Sequence, residues 1–148
     1  MEKTSSQKAG EAFRSGCNCC QAVLLPFVKE LGLDEAAFQN LTSGMGGGMG
    51  GLRQKCGAVT GMFLAAGLLF GDFGDDPDAK ARCYQIIRQL DERFTQRFGS
   101  TCCRELLEQA GVQPGPEPSV RTEAYYAQRP CLKLVESAAQ MVDETFPR

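Results

Sequence analysis

The sequence contains neither histidine nor tryptophan. Without an imidazole, Ser-His-Asp and Cys-His nucleophilic schemes are excluded, as are zinc sites that combine cysteine with histidine and histidine-ligated haem. Net charge is nearly absent: 16 basic residues against 18 acidic ones leave −2. No basic stripe stands out, and the densest run, Arg93 to Arg104, is diluted by Thr95, Gln96 and Phe98. Nucleic acid is therefore not an expected partner. The uncharged stretch Gly57 to Gly71, flanked by Lys55 and Asp72, falls short of the ~20 residues a bilayer core demands. It reads as a buried core helix, and no membrane insertion is expected. The opening residues Met1 to Ser6 carry no apolar h-region, so they read as the start of a cytoplasmic protein rather than as a signal peptide. Eight cysteines are too few for a disulfide-built scaffold in a chain of 148 residues. In a reducing compartment such thiols stay reduced unless they cycle, bind metal or are buried.

The length suits one domain, residues 1–148, with one hydrophobic core. Helical periodicity recurs along it, and no segment sustains strand alternation. An opening helix over 5–15 stops at Gly16. Asn18, with Gln21 three residues on, forms a capping-box pattern for a helix over 19–31, where Pro26 is expected to kink the helix or shorten one end. Asp34 caps a short helix through Leu41, and an apolar helix spans 56–70. Pro77 opens an amphipathic helix over 77–98 with Ala79, Cys83, Ile86, Ile87, Leu90, Phe94 and Phe98 at three- and four-residue spacing. Ser100 is expected to cap a helix over 101–110. The proline-rich Gln113 to Pro118 reads as a surface loop, Thr122 as the cap of one or two turns through Gln128, and Pro130 as the start of a helix over 131–144. The expected fold is all-α, a compact bundle of about five to seven helices with a glycine-rich loop before a buried central helix.

The cysteines stand at 17, 19, 20, 56, 83, 102, 103 and 131. All but Cys83 fall at or just before an expected helix start. Unpaired N–H groups and the partial positive charge of a helix N-terminus stabilise a thiolate, making it a better nucleophile or metal ligand. Cys19, Cys56, Cys103 and Cys131 occupy four separate helix starts that can converge on one anionic or metallic centre. Cys17 and Cys20 add sulfur beside Cys19. Cys83, on the inward face of its helix, reads as a core residue. No thioredoxin-like βαβ frame and no ferredoxin-like ladder surrounds any of them.

Ser43 to Gly51 is the most unusual local composition. Its glycines either form a tight link between helices or wrap a bound group beside Cys56. In the second case Gly46, Gly47, Gly48 and Gly57 offer backbone N–H donors to an anion or to sulfur, and Met45 and Met49 line the pocket. There is no Gly-Lys-Ser/Thr, so a P-loop is excluded. The acidic turn Asp72 to Asp78 lacks the spacing of an EF-hand.

Several segments together resemble a known family. They are Gly16-Cys17-Asn18-Cys19-Cys20-Gln21-Ala22-Val23-Leu24, Ser43 to Met49, Cys56-Gly57-Ala58-Val59-Thr60-Gly61, Phe98 to Leu107 with its Cys102-Cys103, and Cys131 in the last helix. This set resembles the C_GCAxxG_C_C family, named after a four-cysteine pattern and generally taken to be redox-active. The resemblance implies that Cys19, Cys56, Cys103 and Cys131 are the shared set. It also implies electron-transfer chemistry, because related sequence occurs fused to electron-transfer domains. Cys17, Cys20, Cys83 and Cys102 are departures from the usual pattern.

Three functional readings stay open at this point. The first is a redox protein that cycles thiols and disulfides with an electron-transfer or thiol-redox protein partner. The second is a four-cysteine metal-binding site holding an iron–sulfur cluster or zinc on Cys19, Cys56, Cys103 and Cys131. The third is a helical structural or interaction module with inert buried cysteines. Oligomeric state is undetermined, and the thin, glycine-rich helix suits a homodimer interface as well as an internal one.

Overall fold

The computed structural model describes residues 2–72 and 74–148. Among the described residues eight right-handed helices follow in order: α1 Ser5–Arg14, α2 Cys19–Glu30, α3 Glu35–Leu41, α4 Gly57–Phe70, α5 Pro77–Phe98, α6 Cys103–Gln109, α7 Glu123–Gln128 and α8 Cys131–Thr145. Between α3 and α4 lies a short turn, Gly46–Met49, whose Gly47 and Gly48 are left-handed. The fold is all-α, and no strand occurs among the described residues. Helices are one more than the expected range because the short Thr122-capped segment is a helix of its own.

The helix starts follow from local chemistry. Thr4 and Asn18 both make full capping boxes, with Gln7 and Gln21 closing them. Asp34, Asp76 and Thr122 cap α3, α5 and α7 through their side-chain oxygens. One expectation, the Ser100 cap, is corrected. Pro26 lies inside α2 and does not shorten it, although a missing N–H in a helix interior costs about 3 kcal/mol. The penalty is offset by packing: Pro26 is buried together with Val23, Leu24, Phe27 and Val28 on a helix that faces the core on most sides. Ser100 does not cap α6 directly. Its Oγ accepts from the Cys102 N–H at 2.9 Å, forming a turn that delays the helix to Cys103.

α1, α2, α4 and α8 form the central bundle, with α5 laid along α4 and α3 along α2. Phe13, Phe27, Met62, Leu90 and Phe94 are its largest fully buried side chains. α2 and α4 approach closely because Gly61 has no side chain: a Cβ there would lie 2.7 Å from the Cys20 carbonyl oxygen and 2.9 Å from Val23 Cβ. The central helix buries Gly57, Ala58, Val59, Gly61, Met62, Ala65 and Ala66 but leaves Leu64 exposed, and Leu68, Leu69 and Phe70 at its far end are only half-buried. Among the described residues no helix is long and apolar enough to cross a membrane.

The segment entering α4 pairs with the segment entering α6. Cys56 N–H donates to the Thr101 carbonyl at 2.7 Å, and Cys103 N–H to the Gln54 carbonyl at 2.5 Å. Lys55 is anchored alongside by Asp91 of α5 and by Thr101. These ties bring two cysteine-bearing helix starts side by side.

Candidate functional site

Four helix N-termini open into one cavity of about 440 Å³, and each brings a cysteine to its wall: Cys19 from α2, Cys56 from α4, Cys103 from α6 and Cys131 from α8. Cys19, Cys103 and Cys131 are the first helical residues of their helices, and Cys56 is the residue before the first turn of α4. Gly46, Gly47, Gly48 and Gly57 also line the cavity, whereas Met45 and Met49 are not part of its wall. The segment Pro116 to Ser119 also lines it.

The glycine turn is tied to the segment that leads into Cys56. The Gly47 carbonyl accepts from the Arg53 N–H and the Gly48 carbonyl from the Gln54 N–H, both at 3.0 Å. The turn thus pins the segment that pairs with α6. Gly48 has φ +65°, and a Cβ on it would lie 2.7 Å from Arg53 Cα, Gln54 N and Cys103 Cβ alike. Gly57 is similarly tight against Cys19, whose Cβ would be 3.0 Å away. Asn18, besides capping α2, donates from Nδ2 to the Thr42 and Ser43 carbonyls and so fixes the turn to α2.

The electrostatics of the wall are one-sided. Arg53, buried and with φ +58°, donates from Nε to the Gly115 carbonyl at 2.8 Å and from Nη2 to the Glu117 carbonyl at 3.5 Å. Its Nη1 lies 3.7 Å from the Cys103 sulfur. Arg121 donates to the Phe13 and Cys17 carbonyls and stacks over the Phe13 ring at 4.3 Å. Arg129 donates to Ser119 Oγ and stacks over Tyr125 at 4.5 Å. Among the described residues none of these three guanidiniums pairs with a carboxylate.

This environment divides the thiols. The Cys19 thiol donates toward the Cys131 sulfur, and that hydrogen bond holds the Cys131 thiol below its ordinary pKa, with Arg129, Arg121 and Arg53 adding to the effect against burial. The same hydrogen bond, with burial, pushes Cys19 well up. Burial pushes Cys56 up to about 12, and it also raises Cys103 against the pull of Arg53. All eight cysteines are unbridged thiols.

Cys17 and Cys20 are not brought into the cavity. Cys20 is wholly buried in the core and pushed up to about 12 by burial, while Cys17 is half-buried, its carbonyl engaged by Arg121. Cys83 lies on α5, away from the other sulfurs of the site. Among the described residues no three cysteine or acidic side chains are placed to hold a metal ion.

Sequence reasoning missed Arg53, Arg121 and Arg129. The signal available was position: Arg53 lies between the glycine run and Cys56, and Arg129 lies two residues before Cys131.

Stability should carry the mark of the buried thiols. Cys20 and Cys56 have folded pKa values of about 12, above the unfolded thiol's roughly 8.5. Their contribution is full below about pH 8.5 and lost as pH rises toward about 12. Cys131 acts with the opposite sign: its contribution is present above the unfolded value and lost as pH falls through its lowered one. The urea midpoint should therefore decline steadily above about pH 9, and C20A should decline less steeply. Equal slopes in the two proteins would show that Cys20 contributes nothing.

The model of the family described as "Putative redox-active protein (C_GCAxxG_C_C)" matches residues 17–145. No curated protein and no solved structure matches the chain.

Proposed function

The chain belongs to the C_GCAxxG_C_C family, and from that premise we propose that it is a dithiol–disulfide redox protein in which Cys131 attacks and Cys19 resolves. The observation that carries this reading is the adjacent Cys19–Cys131 pair, whose first helical positions and surrounding guanidiniums favour a thiolate on Cys131.

The step balances as ordinary thiol–disulfide exchange. The Cys131 thiolate bonds one sulfur of a disulfide substrate, and the other sulfur leaves as a thiolate. Cys19 then bonds the Cys131 sulfur and expels the remaining substrate sulfur, its proton passing to a leaving thiolate. Two electrons pass from the protein dithiol to the substrate. The hydrogen bond to Cys131 is the largest cause of the raised Cys19 pKa, and it disappears once that sulfur is bonded. The resolving thiol is thus held inactive until the first step has occurred. Cys56 stays protonated nearby, and neither it nor Cys103 is required for the exchange.

The test is to titrate the reduced protein with diamide under argon and map its cross-linked peptides by mass spectrometry. A Cys19–Cys131 peptide should accumulate first. If Cys17–Cys20 formed first, the assignment of the pair would fail. Stoichiometric iron or zinc that protects all four thiols from the oxidant would sink the exchange reading itself.

A further inference from the structure

Three guanidiniums around one cavity without a neutralising carboxylate are electrostatically costly, since like charges in a partly buried site repel and lose hydration. Arg53 is 5% exposed, and its hydrogen bonds end on two carbonyls and a cysteine sulfur. Arg121 likewise ends on carbonyls and on Tyr126 Oη, and Arg129 on a serine hydroxyl. Glu117 is an acidic residue of the wall, but it meets Arg53 through its backbone carbonyl. The residual charge of the cavity is positive, and it surrounds the Cys19–Cys131 pair.

Size narrows the occupant. About 440 Å³ lies within the range of small-molecule sites and is too little for the loop that carries a protein disulfide. Guanidinium planes match carboxylates in a two-pronged geometry that a point charge does not.

We infer that the cavity is a substrate site for a small organic disulfide carrying carboxylates, bound by Arg129 and Arg121 and reduced by Cys131 and Cys19. This rests on the thiol-exchange reading. Cys131 bonds one substrate sulfur as the substrate S–S bond breaks and a carboxylated thiolate leaves. Cys19 then bonds Cys131, and the second carboxylated thiol leaves with the Cys19 proton. One substrate disulfide becomes two thiols, and the protein dithiol becomes a disulfide.

The experiment compares oxidation of the reduced protein by three small disulfides at one pH: dithiodiglycolate, an anion; hydroxyethyl disulfide, neutral; and cystamine, a cation. Because the thiolate fraction is common to all three, rate ratios report charge selection alone. Dithiodiglycolate should outpace cystamine by roughly 10- to 100-fold after correction for their intrinsic reactivity with a free thiol, and added salt should shrink the ratio. R129E should collapse or invert that ratio, whereas R88E, the same charge change on the exposed face of α5, should leave it intact. Equal corrected rates for the three disulfides would overturn the substrate assignment while leaving the exchange reading standing.

Thiodiglycolate, which has no S–S bond, separates binding from chemistry. It should protect Cys131 from alkylation. Protection in a protein that no disulfide oxidises would support the anion site and refute the exchange reading. Protection by inorganic sulfate at equal concentration would overturn the organic disulfide in favour of a simple oxyanion.

Discussion

C131S is expected to abolish the fast phase of iodoacetamide alkylation near pH 7 and to prevent any Cys19 disulfide within the cavity. A thiol with an ordinary pKa near 8.5 is only a few per cent ionised at that pH, so lowering it raises the reactive fraction. Cys131 is the cysteine whose environment lowers its pKa, whereas burial raises Cys17, Cys20, Cys56 and Cys103, and the hydrogen bond to Cys131, with burial, raises Cys19. Site-resolved mass spectrometry should give a fall, with a ceiling of roughly 30-fold, in the rate of the fastest-labelled cysteine. C19S should behave differently. It removes the hydrogen bond that is the largest cause of the lowered Cys131 pKa, so labelling of Cys131 should slow by roughly tenfold but persist. The variant should also trap a substrate as a stable mixed disulfide, because no resolving thiol remains. If C131S kept the fast phase, or if C19S failed to trap any mixed disulfide, the assigned roles would be wrong.

G48A carries the second large effect, and it acts on the scaffold. Its left-handed backbone costs an L-residue about 1–2 kcal/mol. The added methyl would also meet two backbone atoms and the Cys103 Cβ at 2.7 Å, none of which is the flexible end of a side chain. Overpacking of that kind adds about 1–3 kcal/mol. A total near 4 kcal/mol corresponds to a fall in Tm of roughly 10 °C for a chain of this size. G32A is the matched control: its φ is +67°, but its Cβ would meet nothing within 4 Å, so it should bear the backbone strain alone. Equal losses in the two variants would mean that the contact with Cys103 has no energetic weight. Calorimetry on both, with Cys103 labelling as a second readout, decides it.

The helices were legible because their punctuation is local. Asn18 with Gln21, Asp76 with Pro77, and Gly99 mark boundaries through hydrogen bonds and dihedral preferences that span at most four residues. Ser100 was misread, and Pro26 left two outcomes open, for the complementary reason. Pro26 is carried by core packing that no window of sequence contains, and the Ser100 hydroxyl accepts from the Cys102 N–H in a turn ahead of the helix. For the site, the placement of cysteines at helix starts was readable, but their convergence depends on the pairing of residues 53–56 with 101–104. The arginines were hidden by chemistry as well as distance. In sequence Arg53, Arg121 and Arg129 look like any solvated cations, and only the absence of carboxylates around them in three dimensions marks them out.

Cys19 and Cys131 stand at opposite ends of the chain, separated by more than a hundred residues. A bond between them would close a loop whose chain-entropy contribution is about 5 kcal/mol. That free energy enters a thermodynamic cycle twice. It stabilises the oxidised fold against unfolding, and by the same amount it lowers the reduction potential of the folded pair relative to the unfolded chain. At 30 mV for each 1.4 kcal/mol, the difference is on the order of 100 mV. The reducing power of the proposed dithiol would thus be a property of the completed tertiary structure, and denaturant would weaken the protein as a reductant in step with its loss of fold.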